Sequence, residues 1–212
     1  MGLSFKPVTT ADGRMRLAAL ADEIWHEYWP ALIGAAQTDY MVEQFQSLEA
    51  IERDMAEAAY EYWLLRDNED GRLVGYTGGH VEPETNRFFV SKIYLRAPER
   101  GRGFASATVR FYEDLCRTRG LSALYLTVNK HNDGSIACYR SRGFTVAYPL
   151  VTDIGNGFVM DDYVMEKWVA PRTLLYVDTC LRTGSRTREL ADAFLNAYRK
   201  AHPQDTVDVV RL

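Results

Sequence analysis

The feature that most constrains this chain is Arg100-Gly101-Arg102-Gly103-Phe104-Ala105-Ser106, placed between a strand pattern and a helix pattern. Before it, Arg87 to Leu95 is rich in aromatic and β-branched residues and reads as a strand. A break at Arg96-Ala97-Pro98-Glu99 separates the two. Behind the loop an apolar-periodic helix begins. Gly101 and Gly103 lack a Cβ, so the backbone there can take positive φ and approach a ligand closely. The first turn of a helix carries unpaired N–H groups and the positive end of its dipole. Together these make an anion site suited to a pyrophosphate. No Gly-Lys-Ser/Thr follows, so the loop is not a nucleotide-triphosphate loop, and it is not a dinucleotide fingerprint either.

After the helix, Leu124 to Val128 reads as a strand and leads into Asn132, Tyr139, Gly143 and Phe144. The pattern Arg/Gln-x-x-Gly-x-Gly/Ala at Arg100, Gly103 and Ala105 resembles the acetyl-CoA loop of the GNAT superfamily of N-acetyltransferases. Asn132, Tyr139 and Gly143-Phe144 follow at that family's spacing. The resemblance extends over residues 1–169. It implies an α/β (α+β) GNAT acyl-CoA N-acyltransferase fold, a mixed central sheet flanked by helices. It also implies acetyl-CoA as co-substrate, bound by Arg100, Gly101, Arg102, Gly103, Phe104, Ala105, Ser106 and Asn132. Ile93 and Leu95 lie on the strand edge that would take the pantetheine arm. Tyr139 matches the family tyrosine that protonates the departing thiolate. The residues also admit plainer roles, core packing for Tyr139 and helix capping for Asn132. No base is singled out among His80, Glu82 and Glu84.

The chain has 212 residues, enough for one domain and part of a second. At 47% hydrophobic and 25% charged it reads as an ordinary globular protein. No apolar run is long enough for a bilayer and no signal peptide is apparent. Cys116, Cys138 and Cys180 are far apart and form neither a disulfide framework nor a zinc spacing, so a cytoplasmic location and no metal site are expected. A net charge of −4 argues against nucleic-acid binding. Its distribution is uneven. Residues 87–144 carry 11 Lys/Arg and 4 Asp/Glu, whereas residues 20–70 carry 13 Asp/Glu and 2 Lys/Arg. The positive half holds the anion loop. The negative half suits a cationic acceptor.

In order, Leu3 to Pro7 reads as a strand, followed by a helix capped at Thr9 or Thr10 and ended by Pro30. A loop over residues 31–37 leads to a second helical region with Ser47 as a cap. In the GNAT family this segment lines the acceptor site, making Tyr28 and Trp29, with Trp25 and Tyr40, acceptor-pocket candidates. The surroundings of Trp25 to Phe45 resemble the spermidine/spermine-type branch. Three strands, Tyr60 to Arg66, Arg72 to Val81 and Arg87 to Leu95, form a meander. Gly75, Gly78 and Gly79 within it suggest a bulge or a ligand's close approach. Asn156-Gly157 turns the closing hairpin.

Ala170-Pro171 marks a junction. The tail, a strand at Leu174 to Val177, a loop Arg182 to Thr187, a helix Ser185 to Ala201 and a strand from Val207, resembles the opening β-α-β of flavodoxin-like, FMN-dependent NAD(P)H dehydrogenases (quinone reductases and azoreductases). The half of that fold that would hold the flavin ring is missing, so residues 170–212 form a partial segment and FMN is not expected to bind. The function implied is transfer of an acetyl group from acetyl-CoA to a small cationic, polyamine-like primary amine, with a possible homodimer and with neither nucleic acid nor membrane as partner. Two alternatives remain: a CoA-sensing module, or an accessory domain fused to a flavodoxin-like oxidoreductase.

Overall fold

A computed structural model describes residues 2–182 and 184–212. They fall into two compact units, Met1–Val169 and Ala170–Leu212. The first holds strands β1 (Leu3–Pro7), β2 (Glu61–Asp67), β3 (Leu73–Glu82), β4 (Arg87–Leu95), β5 (Ala123–Asn129), β6 (Thr145–Gly155) and β7 (Phe158–Trp168). They form one sheet in the order β1-β2-β3-β4-β5-β7-β6. Every neighbouring pair is antiparallel except β4 and β5.

The period-two alternation of the central strands sends side chains to two helical layers. On one face Tyr62, Leu64 and Tyr76 pack against Leu17, Leu20 and Ile24 of α1 (Ala11–Tyr28) and Ile51 of α4 (Leu48–Glu57). On the other, Trp63, Phe88, Leu124 and Leu126 pack against Val109, Tyr112 and Cys116 of α5 (Phe104–Arg119), with Ile136 of α6 (Asp133–Arg140) joining them. Each of the Leu, Ile, Val and Phe side chains among them, fully buried, contributes about 1.5–3 kcal/mol. Thr10 caps α1 by accepting from Gly13 N–H, and Ser47 caps α4 by accepting from Ala50 N–H.

Residues 31–37, read from sequence as a loop, are mostly helical. Pro30 ends α1 and also opens α2 (Pro30–Ile33), because a missing N–H costs nothing at a first helical position. Gly34, at φ 84°, then resets the chain for α3 (Ala35–Phe45). The strand glycines serve the sheet itself. A Cβ on Gly79 would lie 1.9 Å from the Phe89 carbonyl oxygen, and one on Gly78 would lie 2.5 Å from the Tyr62 ring. The ladder shifts register between these two residues, which is the bulge their presence suggests.

The second unit is β8 (Thr173–Asp178), α7 (Arg186–Ala201) and β9 (Thr206–Arg211), with the two strands parallel. Ser185 caps α7 by accepting from Arg188 N–H. Leu175, Leu190, Phe194 and Val210 are exposed within the unit's surface. Thr183 of the phosphate-type loop lies outside the described residues. No helix among the described residues is long and apolar enough to cross a membrane.

Candidate active site

The site is built on a fork in the sheet. Parallel pairing of β4 with β5 ends at Phe89 opposite Tyr125, yet the two strands run on to Leu95 and Asn129. Past that point their facing backbone edges are unpaired with each other. A cavity of about 760 Å³ fills the fork, with Ile93 and Leu95 on one wall and Leu126 to Asn129 on the other. Unpaired edges of this kind can accept a narrow, extended ligand as a substitute strand.

The loop closes one end. Gly101 and Gly103 sit at φ 77° and 83°, a region L side chains avoid, with open space where a Cβ would be. Gly103 is the N-cap of α5 and offers no side chain to it. The first helical bond runs from Ala107 N–H to the Gly103 carbonyl at 3.0 Å. The N–H groups before it have no helical acceptor. Gly101, Gly103, Ala105 and Ser106 all line the cavity.

The arginines divide. Arg100 lines the cavity, lies 4.7 Å over the Tyr28 ring and is held by Glu27 at 2.6 Å. Arg102 does not line it. Its guanidinium instead donates to buried Asp67 at 3.0 Å and pairs with Glu99. Phe104 also turns away, packing with Leu65, Val74 and Leu95 in the core. Arg142, unremarked in the sequence, takes a place on the cavity wall and donates to Ser106 Oγ at 2.7 Å.

Tyr139 stands on α6 with its ring against Phe144 and its face on the cavity. Its hydroxyl has no hydrogen-bond partner among the described residues. Burial pushes this phenol well above its ordinary pKa, so it carries its proton at neutral pH. Asn132 is at once a cap and a link. Its Oδ1 accepts from Ser135 N–H at 3.2 Å and from the Tyr28 hydroxyl at 3.0 Å. Trp25, Tyr28 and Trp29 line the cavity, whereas Tyr40 does not: it donates to the Ile154 carbonyl at 2.6 Å. Trp25 is also core, stacked on Trp29 and donating to the Tyr76 hydroxyl at 3.1 Å. The buried Trp29 indole N–H has no hydrogen-bond partner among the described residues.

Besides Arg142, three charged side chains without a role assigned from the sequence reach the cavity. Lys92 is only 4% exposed, and burial lowers its pKa to about 8. Asp54, on α4, faces it at 3.5 Å. Asp162, on β7, is 7% exposed. The signal for two of them was a charge inside an apolar strand, Lys92 in Arg87–Leu95 and Asp162 in Phe158–Trp168. His80 and Glu82 lie elsewhere. His80 stacks on Tyr60 at 4.6 Å, and Glu82 accepts from the Tyr125 hydroxyl and, at 2.9 Å, from Thr85.

The acidic stretch is largely neutralised across the fold. Glu23 pairs with Arg96 at 2.8 Å, Glu27 with Arg100, Asp67 with Arg102, and Glu61 with Arg119. Among the described residues, Asp54 is the acidic side chain of residues 20–70 that lines the cavity.

Residues 21–144, more than half of the chain, match the profile of the Acetyltransferase (GNAT) family. The chain belongs to that family. GNAT enzymes transfer an acetyl group from acetyl-CoA to an amine. An L-2,4-diaminobutyric acid acetyltransferase from Nocardia farcinica is 33% identical over 91 residues, 41% of this chain and 47% of the relative. The chain spans about half the length of the curated relatives it matches. The PaiA N-acetyltransferase of Thermoplasma acidophilum, solved in complex with coenzyme A, superposes with a TM-score of 0.63 at 16% identity, covering 79% of this chain and 99% of that one. Mutant forms of the spermidine/spermine N-acetyltransferase SpeG from Vibrio cholerae give 0.57 at 18% identity over 79% and 94%. At such identities the likeness is one of fold, a GNAT sheet with flanking helices.

Proposed function

We propose that this protein is an acetyl-CoA-dependent N-acetyltransferase whose acceptor is a small cationic amine. The observation that carries the reading is one cavity joining the forked β4–β5 edges, the uncapped N-terminus of α5 and a protonated, unpartnered tyrosine. The unpaired amides of the Gly101–Ser106 loop, with Arg100 and Arg142, suit a pyrophosphate. The open edges of Ile93 to Leu95 and of Leu126 to Asn129 suit the amides of a pantetheine arm. Acetyl-CoA then supplies the activated acetyl group. Tyr139 holds a proton that the departing thiolate can take.

The acceptor half lies under α1 and α3, bounded by Tyr28, Trp29, Met41, Lys92 and Tyr94. The aromatic faces of Tyr28, Trp29 and Tyr94 favour a cationic, partly apolar amine. The acceptors named for the relatives, diaminobutyric acid and spermidine/spermine, both carry more than one amine. For Ala170–Leu212 the flavodoxin-type reading rests on parallel β8 and β9 joined through α7.

The test is a thiol-release assay with acetyl-CoA against polyamines, diamino acids and peptides bearing free amines. Turnover confined to small diamines or polyamines supports the reading. Coenzyme A binding with no turnover on any member of the panel refutes it.

A further inference from the structure

We infer that Asp162 is the catalytic base of this site, taking the proton from the acceptor's ammonium before the nitrogen attacks. This rests on the acetyltransferase reading above.

The argument begins with strand geometry. Asp162 of β7 is opposite Asn129 of β5, and Thr127 lies two residues before Asn129. The period of two places all three on the same face of the sheet. This is the face where Phe89 stacks on Tyr125 and where Tyr94 packs with the α1 layer. Asp162 therefore borders the fork on the acceptor side, beyond the point where β4 and β5 part. It lines the cavity together with Tyr94, Thr127, Met160 and Tyr139. Both Tyr139 and Asp162 act electrostatically on the Tyr94 hydroxyl, so all three groups share one neighbourhood. A proton acceptor and a proton donor thus flank the place where an acyl group at the fork would lie.

The surroundings leave Asp162 free to act. Its neighbour Asp161 is taken by Lys130, from the turn just after β5. From β5 itself Thr127 is within hydrogen-bonding reach of the Asp162 carboxylate. From β4 comes Tyr94, neutral at physiological pH because burial pushes its phenol far up. From β6, Leu150 lies in register opposite. From α3 the lining residues are Gln37, Met41 and Phe45, all uncharged. The charged pair Lys92 and Asp54 occupies the α4 side of the cavity. No cation among the described residues holds Asp162 in an ion pair at bonding distance. Burial and the nearby Asp161 charge raise its pKa to about 6 against the opposing pull of Lys130 and Thr127, close enough to neutrality for a base that must both take and release a proton.

The step balances as follows. The ammonium gives one proton to the Asp162 carboxylate. The freed amine attacks the thioester carbonyl and forms the C–N bond. The C–S bond breaks, and the nitrogen's second proton leaves as the amide forms. The thiolate takes a proton from Tyr139, which regains one from the nitrogen. Asp162 then releases its proton to water. The products are the N-acetylated amine, coenzyme A thiol and one proton.

The experiment is a pH series of kcat/KM for wild type, Asp162→Asn and Asp162→Glu, with spermidine and 2,4-diaminobutyrate as acceptors. Acetyl-CoA affinity, measured by calorimetry, checks that each variant retains the site. Wild type should rise to a plateau above about pH 6. Asp162→Asn should fall about 10²–10⁴-fold at pH 7, then climb roughly tenfold per pH unit as the acceptor loses its own proton. Asp162→Glu should keep the plateau. A second measurement needs no variant: the wild-type acid limb should lie at the same pH for both acceptors. An Asn variant with the wild-type profile, or a wild-type limb that follows each acceptor's own ammonium, overturns Asp162 as base. Wild-type protein that binds coenzyme A but acetylates neither these two amines nor any other amine of the panel above overturns the acetyltransferase reading itself.

Discussion

Lys92 offers a measurement of what it costs this fold to keep an ammonium in its interior. Its Nζ donates to the Phe45 carbonyl at 3.1 Å and to the Tyr62 hydroxyl at 3.0 Å, and faces Asp54 at 3.5 Å. Those partners tie β4 to the end of α3, to β2 and to α4. They do not offset burial fully, because the folded-state pKa is about 8 against an ordinary 10.5. Below pH 8 the residue is charged in both the folded and unfolded chain, and the cost is constant. Between 8 and 10.5 the unfolded chain holds a proton there that the folded chain has lost, so stability rises with pH. The gap of about 2.5 pH units, at about 1.36 kcal/mol each, amounts to about 3 kcal/mol. The perturbation is Lys92→Met. Denaturant titrations of both proteins from pH 7 to 10.5, followed by tryptophan fluorescence, give the difference. All four tryptophans, at 25, 29, 63 and 168, lie in the first unit, so the signal reports that unit. Titrating groups remote from Lys92 cancel between the two proteins. Relative to the variant, wild type should gain about 3 kcal/mol across that window. A difference that stays flat with pH would refute the reasoning.

Three further outcomes are expected. Gly103→Glu places bulk and negative charge at a left-handed position against the pyrophosphate site, so acetyl-CoA binding should be lost; calorimetry with unchanged affinity would count against that site. Tyr139→Phe should lower kcat about 10²–10⁴-fold with little change in cofactor affinity, read from single-turnover and binding data. FMN added to the protein should keep its free-solution fluorescence, because β8, α7 and β9 supply no second set of loops for the flavin ring; quenching at micromolar protein would show a completed flavin site.

The order of elements was legible because the signals were local. Gly103, Gly120 and Asn156-Gly157 mark turns by backbone conformations that few other residues tolerate. The turn at Gly101 and Gly103 was legible for the same reason, since both residues sit at positive φ. The helical turns within residues 31–37 were not legible because Pro30 can begin a helix as well as end one, and Gly34 opens α3 with no capping side chain. Arg102 was misjudged because no pattern within the loop reveals buried Asp67, 35 residues earlier, as its partner. Asp54, Lys92 and Asp162 come from α4, β4 and β7. Their shared cavity exists only once those elements pack, so no spacing along the chain encodes it.

The fork between β4 and β5 also has a consequence for exchange with solvent. Its two open edges are interior ones, flanked by β3 and β7, so a neighbouring protein's strand cannot reach them as it would a sheet's outer edge. Water must satisfy those peptide groups whenever nothing else does. The amides facing the gap in Val90–Leu95 and Leu126–Asn129 should therefore trade hydrogen for deuterium faster than their neighbours in the same strands. A ligand lying in the fork should slow them selectively. Isotope uptake at these few positions would then count occupied molecules directly, without any chemical turnover.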